Sequence, residues 1–236
     1  MTKTGADKMM IDSSYWILFI VVSILPIWAS LKLQNTFNKY SRVRSLSGYT
    51  GEEAARRILM INHLGHIGIK PVRGSMTDHY NPIQKEIGLS QTVYSLNSIA
   101  AVSVAAHEVG HVLQEADHYN ALTLRHKLLP VTRFADSAAI PMVFLGAITS
   151  FQGLAWIGII LFSFTTLFSL VTLPVEFNAS KRAIVALSQS GILSDEELDG
   201  AKEVLNAAAL TYVAGAAVSM MMLLRLILIY GGQNRD

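Results

Sequence analysis

Four long stretches of this chain are more apolar than the surface of a soluble domain tolerates. The first starts near Tyr15, where YWILFIVVSILPIWASL runs for about 17 residues without a charge, the lower limit for a helix crossing a hydrocarbon layer ~30 Å thick. Inside lipid every backbone N–H and C=O must find its partner within the segment, so such a run is expected to be helical. No small-residue cleavage site is clear, and Lys32 and Lys39 follow directly, which fits a retained anchor better than a signal peptide. A second run extends from about Val131 to Thr149 and a third from Leu154 to Leu173, joined by the uncharged link Ser150-Phe151-Gln152-Gly153. That pattern predicts a transmembrane hairpin. Arg133 and Asp136 near the start of the second run imply that it begins later or turns those residues toward protein. The fourth run, Ala207 to Tyr230, is broken only by Arg225, close enough to the end to reach the headgroups. Over the whole chain 51% of residues are hydrophobic and 15% charged, against about a quarter charged in a soluble domain. The expected fold is mainly α, a multi-pass membrane protein with about four transmembrane helices.

Charge placement then suggests an orientation. Lys32, Lys39, Arg42 and Arg44 follow the first span, Arg125 and Lys127 precede the second, and Lys181 and Arg182 follow the third. By the positive-inside rule these segments are expected to face the cytoplasm. Lys3, Lys8, Arg225 and Arg235 pull against that reading. The formal net charge of +2, with no basic stripe, gives no basis for nucleic-acid binding. The chain has no cysteine, which excludes thiolate metal sites and thiol nucleophiles, so any metal must be held by His and carboxylate.

Between the first two spans lies a polar segment with the signals of a small α+β domain. Thr50-Gly51-Glu52-Glu53 is a capping box opening a helix to about Ile61. Asn81-Pro82, between two short strand-like stretches, predicts a β-hairpin. From Asn97 or Ser98 the Ala- and Val-rich SIAAVSVAAHEVGHVLQEA predicts a buried helix. After the third span, Pro174 is expected to begin a further helix ending at Gly191, and Ser194 with Glu197 to cap the helix leading into the fourth span. The domain limits that follow are 1–34, 35–127, 128–173, 174–206 and 207–236.

His107-Glu108-Val109-Gly110-His111 is an H-E-x-x-H pattern. Residues four apart share one helical face, so two imidazoles can grip one zinc ion while Glu108 stands beside it as a general base. Gly110 would let another backbone approach the same helix. Burying two His and a Glu among Ala and Val is costly without a compensating ligand. A catalytic zinc needs a third protein ligand, and Asp117, His118, His126 and Glu176 are candidates. Asp117 has the metzincin spacing, but Gln114 stands where that pattern wants Gly. Glu176 is the better candidate: Glu176-Phe177-Asn178-Ala179-Ser180 resembles the E-x-x-A-[D/S] pattern with which gluzincin-type peptidases supply a glutamate. Two spans separate His111 from Glu176, and an even number returns the chain to the same side.

Several separated segments resemble the YugP-like family of bacterial membrane zinc metallopeptidases: YSRVRSLSGYTGEEAARRIL, MTDHYNP, VAAHEVGHVLQ, VTLPVEFNASKRA and LNAAALTYVA. The resemblance implies a zincin-like catalytic domain containing Zn2+, with His107, His111 and Glu176 as ligands and Glu108 as base. It also implies a protein or peptide substrate beside the lipid bilayer, with a regulatory membrane-protein partner or a homo-oligomer as further candidates. His79 and Tyr80, ahead of the catalytic helix, fall where zincins place a strand that pairs with substrate, and are taken as substrate-binding candidates. Ser180 stands where related enzymes carry Asp, so the orientation of one His ligand is open. Tyr212, Arg182 and His79 are the candidates for oxyanion stabilisation. A non-catalytic membrane scaffold, or a degenerate peptidase with structural zinc, is the alternative. A transporter would need mid-span acids and an inverted repeat, and the sequence has neither.

Overall fold

The computed structural model describes residues 13–231; the topology signals at Lys3, Lys8 and Arg235 lie outside the described residues. The element order is α1 (Ser13–Ser41), α2 (Gly51–Ile61), β1 (Gly68–Val72), β2 (His79–Asn81), β3 (Glu86–Ser90), α3 (Gln91–Ser95), α4 (Ile99–Ala116), α5 (Asn120–Ile148), α6 (Gln152–Gln189) and α7 (Asp195–Gly231). Among the described residues, α1, α5, α6 and α7 are long and apolar enough to cross a membrane, which agrees with the four expected spans. Helix α6 packs against α5 on one side and α7 on the other, and α7 packs against α1. Two glycines let α5 and α6 close up: a Cβ on Gly146 would stand 2.5 Å from the Ala155 nitrogen, and one on Gly158 2.7 Å from the Ala139 carbonyl oxygen.

The long helices reach further than their apolar runs. No new helix begins at Pro174; α6 runs through it as one 38-residue helix, and α7 likewise joins the Ser194-capped segment to the fourth span. Proline deprives the Leu170 carbonyl of its usual donor, but α6 is held against α4, α5 and α7 along its length, and that packing outweighs one lost hydrogen bond. Helix α5 starts at Asn120 and carries Pro130 and Pro141 in its interior. The ends are as expected. Gly191 takes φ +64°, and its N–H and that of Ile192 reach the Ser188 and Leu187 carbonyls at 3.1 and 3.2 Å, a Schellman closure. Ser194 N–H donates to Glu197 Oε2 at 2.9 Å, and Leu46 N–H donates to Oε1 of the same carboxylate at 2.7 Å, tying the start of α7 to the segment after α1.

The small domain is built around α4. Ser98 caps it by accepting from Ala101 N–H at 3.2 Å. Thr50 and Glu53 form the expected reciprocal box at the start of α2, with the Glu53 carboxylate 2.8 Å from Thr50 N–H. The hairpin is present as β2 and β3, antiparallel with His79 opposite Gly88. The sheet holds one strand more than expected: β1 pairs parallel to β3, Gly68 opposite Glu86, giving the order β1-β3-β2. Pro71 suits β1 because an outer strand has an unpaired side that needs no donor. Ile58, Leu59, Ile87, Leu89, Val102, Val109 and Leu187 fill the core between α2, the sheet, α4 and the C-terminal part of α6.

Candidate metal centre

Gly110 brings the site together. Helices α4 and α6 cross there so closely that a Cβ on Gly110 would lie 2.4 Å from the Ala179 carbonyl oxygen. Within one turn of that crossing are the residues of the site: His107 and His111 on α4, Glu176 and Ser180 on α6. The two imidazoles meet edge to face, centroids 4.8 Å apart and planes at 86°. Glu176, 2% exposed, directs Oε2 at both, 3.2 Å from His107 Nε2 and 3.6 Å from His111 Nε2. The three donor atoms lie within 4.8 Å of one another. A tetrahedral zinc with N and O bonds of ~2.0–2.1 Å has edges of about 3.3 Å between ligand atoms, and the two His–Glu separations match such edges. The donor set therefore fits zinc.

The other ring nitrogens are also held. Gln114, fully buried, donates its amide hydrogens to the Val175 carbonyl at 2.7 Å and Asn178 Oδ1 at 3.0 Å, so its Oε1 is left to accept from His111 Nδ1 at 3.0 Å. That fixes the tautomer: Nδ1 carries the proton and Nε2 offers its lone pair to a metal. Ser180 Oγ stands 3.2 Å from His107 Nδ1, so the serine found in place of Asp still supplies a partner for that ring. Gln114→Ala should lower zinc affinity about 10- to 100-fold, the usual cost of losing a hydrogen bond behind a ligand; competition with a chromogenic chelator measures it, and unchanged affinity would show that the ring is oriented without Gln114.

Glu108 is 7% exposed and borders a cavity of about 140 Å³ together with the three donors, Asp78, His79, Tyr80, Arg125, His126 and Tyr212. Burial pushes its carboxyl above the ordinary range, while His107 and His111 pull the other way less strongly. Of the other third-ligand candidates, Asp117 is paired with Arg182, His118 lines neighbouring cavities, and His126 borders the cavity outside the trio of donors. The pairing with Asp117, and a second bond from Arg182 Nε to Asn178 Oδ1 at 2.8 Å, hold Arg182 away; His79 and Tyr212 line the cavity. The His79 ring lies over Gly88, with Nδ1 2.8 Å from the Thr77 carbonyl oxygen. The Tyr80 hydroxyl donates to Glu115 on α4, so its phenol is engaged behind the sheet.

Arg125 is the residue that sequence reasoning placed elsewhere. Read as a topology charge, it reaches into the cavity and sets Nη1 3.4 Å from Glu176 Oε1, the carboxylate oxygen not shared with the imidazoles. Its signal would have been the continuation of α5 back to Asn120, which no apolar run marks.

A zinc-type site assembled from a buried H-E-x-x-H helix and a glutamate on a second helix, in a chain with four membrane-length helices, defines a membrane metallopeptidase class. The chain belongs to the family described as "Putative neutral zinc metallopeptidase", which it matches over residues 15–231. It is similar to the "Putative membrane protease YugP" of Bacillus subtilis (strain 168), 50% identical over 218 residues that cover 90% of this chain and 96% of that protein. No solved structure matches it.

Proposed function

We propose that the chain is a membrane-bound zinc endopeptidase in which His107, His111 and Glu176 hold the ion and Glu108 is the general base. The observation that carries the reading is the convergence of two imidazole Nε2 atoms and one carboxylate oxygen on one point beside a water-accessible cavity. Three protein ligands leave a fourth position open, the mark of a catalytic rather than a structural zinc. Bound there, zinc supplies Lewis acidity, lowering the pKa of a water and polarising the scissile carbonyl.

The chain's own residues do the rest. Glu108 takes the proton from the attacking water and passes it to the leaving amine. Arg125, 3.4 Å from Glu176 Oε1, engages the carboxylate oxygen not directed at the imidazoles and would orient Glu176 toward the metal. Tyr212 and His79 border the cavity from opposite walls and are the candidates to donate to the developing oxyanion. Strand β2 pairs with β3 on one side only, and its other edge offers backbone groups to an extended substrate, with His79 and Tyr80 flanking it. Residues 35–127 supply most of the catalytic domain, and 174–206 the third ligand and connector. The excess of Lys and Arg beside the site supports a cytoplasmic catalytic face.

A zinc-binding scaffold without activity would need neither a buried Glu108 next to the donors nor an opening onto them. The test is metal content and hydrolysis together. Detergent-purified protein should carry one zinc and cleave an unfolded protein; Glu176→Ala should lose most of the zinc and the cleavage with it. Full zinc occupancy in that variant would remove Glu176 from the site.

A further inference from the structure

We propose that the peptide bonds presented to this centre lie in juxtamembrane segments of other membrane proteins, within about ten residues of their own spans. The proposal rests on the peptidase reading and adds where the substrate comes from. Three of the four membrane-length helices supply walls of the cavity: Arg125 from α5, Glu176 from α6 and Tyr212 from α7.

Their positions along those helices set the depth of the site. At a rise of about 1.5 Å per residue, Arg125 stands about 9 Å outside the apolar run that begins at Val131, and Glu176 about 5 Å outside the run that ends at Leu173. Tyr212 stands about 8 Å inside the run that begins at Ala207. The polar layer on each side of the hydrocarbon is about 5–8 Å thick. The three estimates straddle the edge of the hydrocarbon, two outside it and one inside, and their mean of about 2 Å outside puts the reacting centre at the membrane interface. Pro82 also lines the cavity, and its neighbour Ile83, at the tip of the β2–β3 turn, is 92% exposed, a bare apolar side chain beside the site of the kind a lipid surface would cover.

A site at that level selects by reach. A chain leaving the bilayer covers at most about 3.3–3.6 Å per residue, so a few residues bring its backbone from its own span to the edge of β2. Anchoring in the same membrane confines such a segment to a layer about as deep as its tether's r.m.s. length, ~5–6 Å times the square root of the residue number, so its concentration at the site falls as the tether lengthens. The small contact area offered by one three-residue strand gives a free peptide little affinity, whereas a tethered one needs little.

The experiment uses full-length protein with zinc bound, reconstituted in vesicles with single-span substrates. A sequence cleaved in unfolded protein is placed about 5 or about 40 residues from the substrate's span, and is also supplied as a free peptide. The rate should be about 3-fold lower at the longer distance, from the square root of the eightfold longer tether, and lower again for the free peptide. Cleavage of unfolded protein in detergent with the near site left intact, or equal rates for all three substrates, overturns the placement while the peptidase reading stands. No hydrolysis in detergent or in vesicles overturns both.

Discussion

Glu108→Gln should lower the hydrolytic rate by about 10²- to 10⁴-fold, the range contributed by a positioned proton acceptor, while zinc stays bound. Gln matches Glu in size and keeps a polar group at the cavity wall, but it cannot take a proton from water. The metal is expected to remain because the donors proposed for it are the imidazoles and Glu176, none of which is altered. Burial disfavours the Glu108 carboxylate more than His107 and His111 favour it, with Glu176 and Asp78 adding to the burial effect, so a neutral amide of the same size relieves a desolvation cost. The variant should thus be at least as stable as wild type to heating. Two measurements check this, zinc per chain and the rate on an unfolded protein. A rate within tenfold of wild type would exclude Glu108 as the base, and loss of zinc would mean that it serves the metal instead.

The parts of this site that the sequence makes legible are those that depend on local periodicity. His107 and His111 share a face because a helix repeats every 3.6 residues, and Gly110 announces a close neighbour because nothing else in α4 gives up its side chain. Glu176 was reachable because a short pattern and the parity of the spans agree. What stayed hidden depends on direction in three dimensions. Gln114 reads in sequence as a departure from another family's spacing, yet it is the residue that orients His111, since position 114 lies three after 111 on the same face and turns inward to α6. Arg125 reads as a membrane-topology charge because its inward aim depends on where α5 begins. The continuity of α6 through Pro174 and of α5 through Pro130 and Pro141 is decided by neighbouring helices, which a local helix-breaking rule does not weigh. Strand β1 has a proline and only a parallel partner, and a parallel pair is not joined by a tight turn, so the Asn81-Pro82 signal marks the β2–β3 hairpin and says nothing of β1.

Gly110→Ala is expected to damage the metal centre through a single added methyl group. Its Cβ would stand 2.4 Å from the Ala179 carbonyl oxygen, 3.0 Å from the Ala179 carbonyl carbon and 3.2 Å from its Cα, all backbone, so no rotamer change relieves the clash. Helix α6 must move away from α4 by roughly 1 Å to restore ordinary contact. Overpacking of this kind costs about 1–3 kcal/mol, which lowers the melting temperature, but the larger effect falls on the site. Glu176 lies one turn from Ala179 on the helix that is displaced, and its Oε2 is now 3.2 and 3.6 Å from the two imidazoles. Lengthening those edges by a comparable amount takes the carboxylate out of bonding range of an ion seated on His107 and His111. Zinc affinity should therefore fall by more than the Gln114→Ala variant loses, and hydrolysis by about 100-fold or more, as expected for a misplacement near 1 Å. Gly215→Ala is the control: a Cβ there meets nothing within 4 Å, and alanine in a helix interior is favoured over glycine by about 0.5–1 kcal/mol. Equal zinc affinity in the two alanine variants, by chelator competition, would mean that the α4–α6 contact does not set the distance between the histidines and the glutamate.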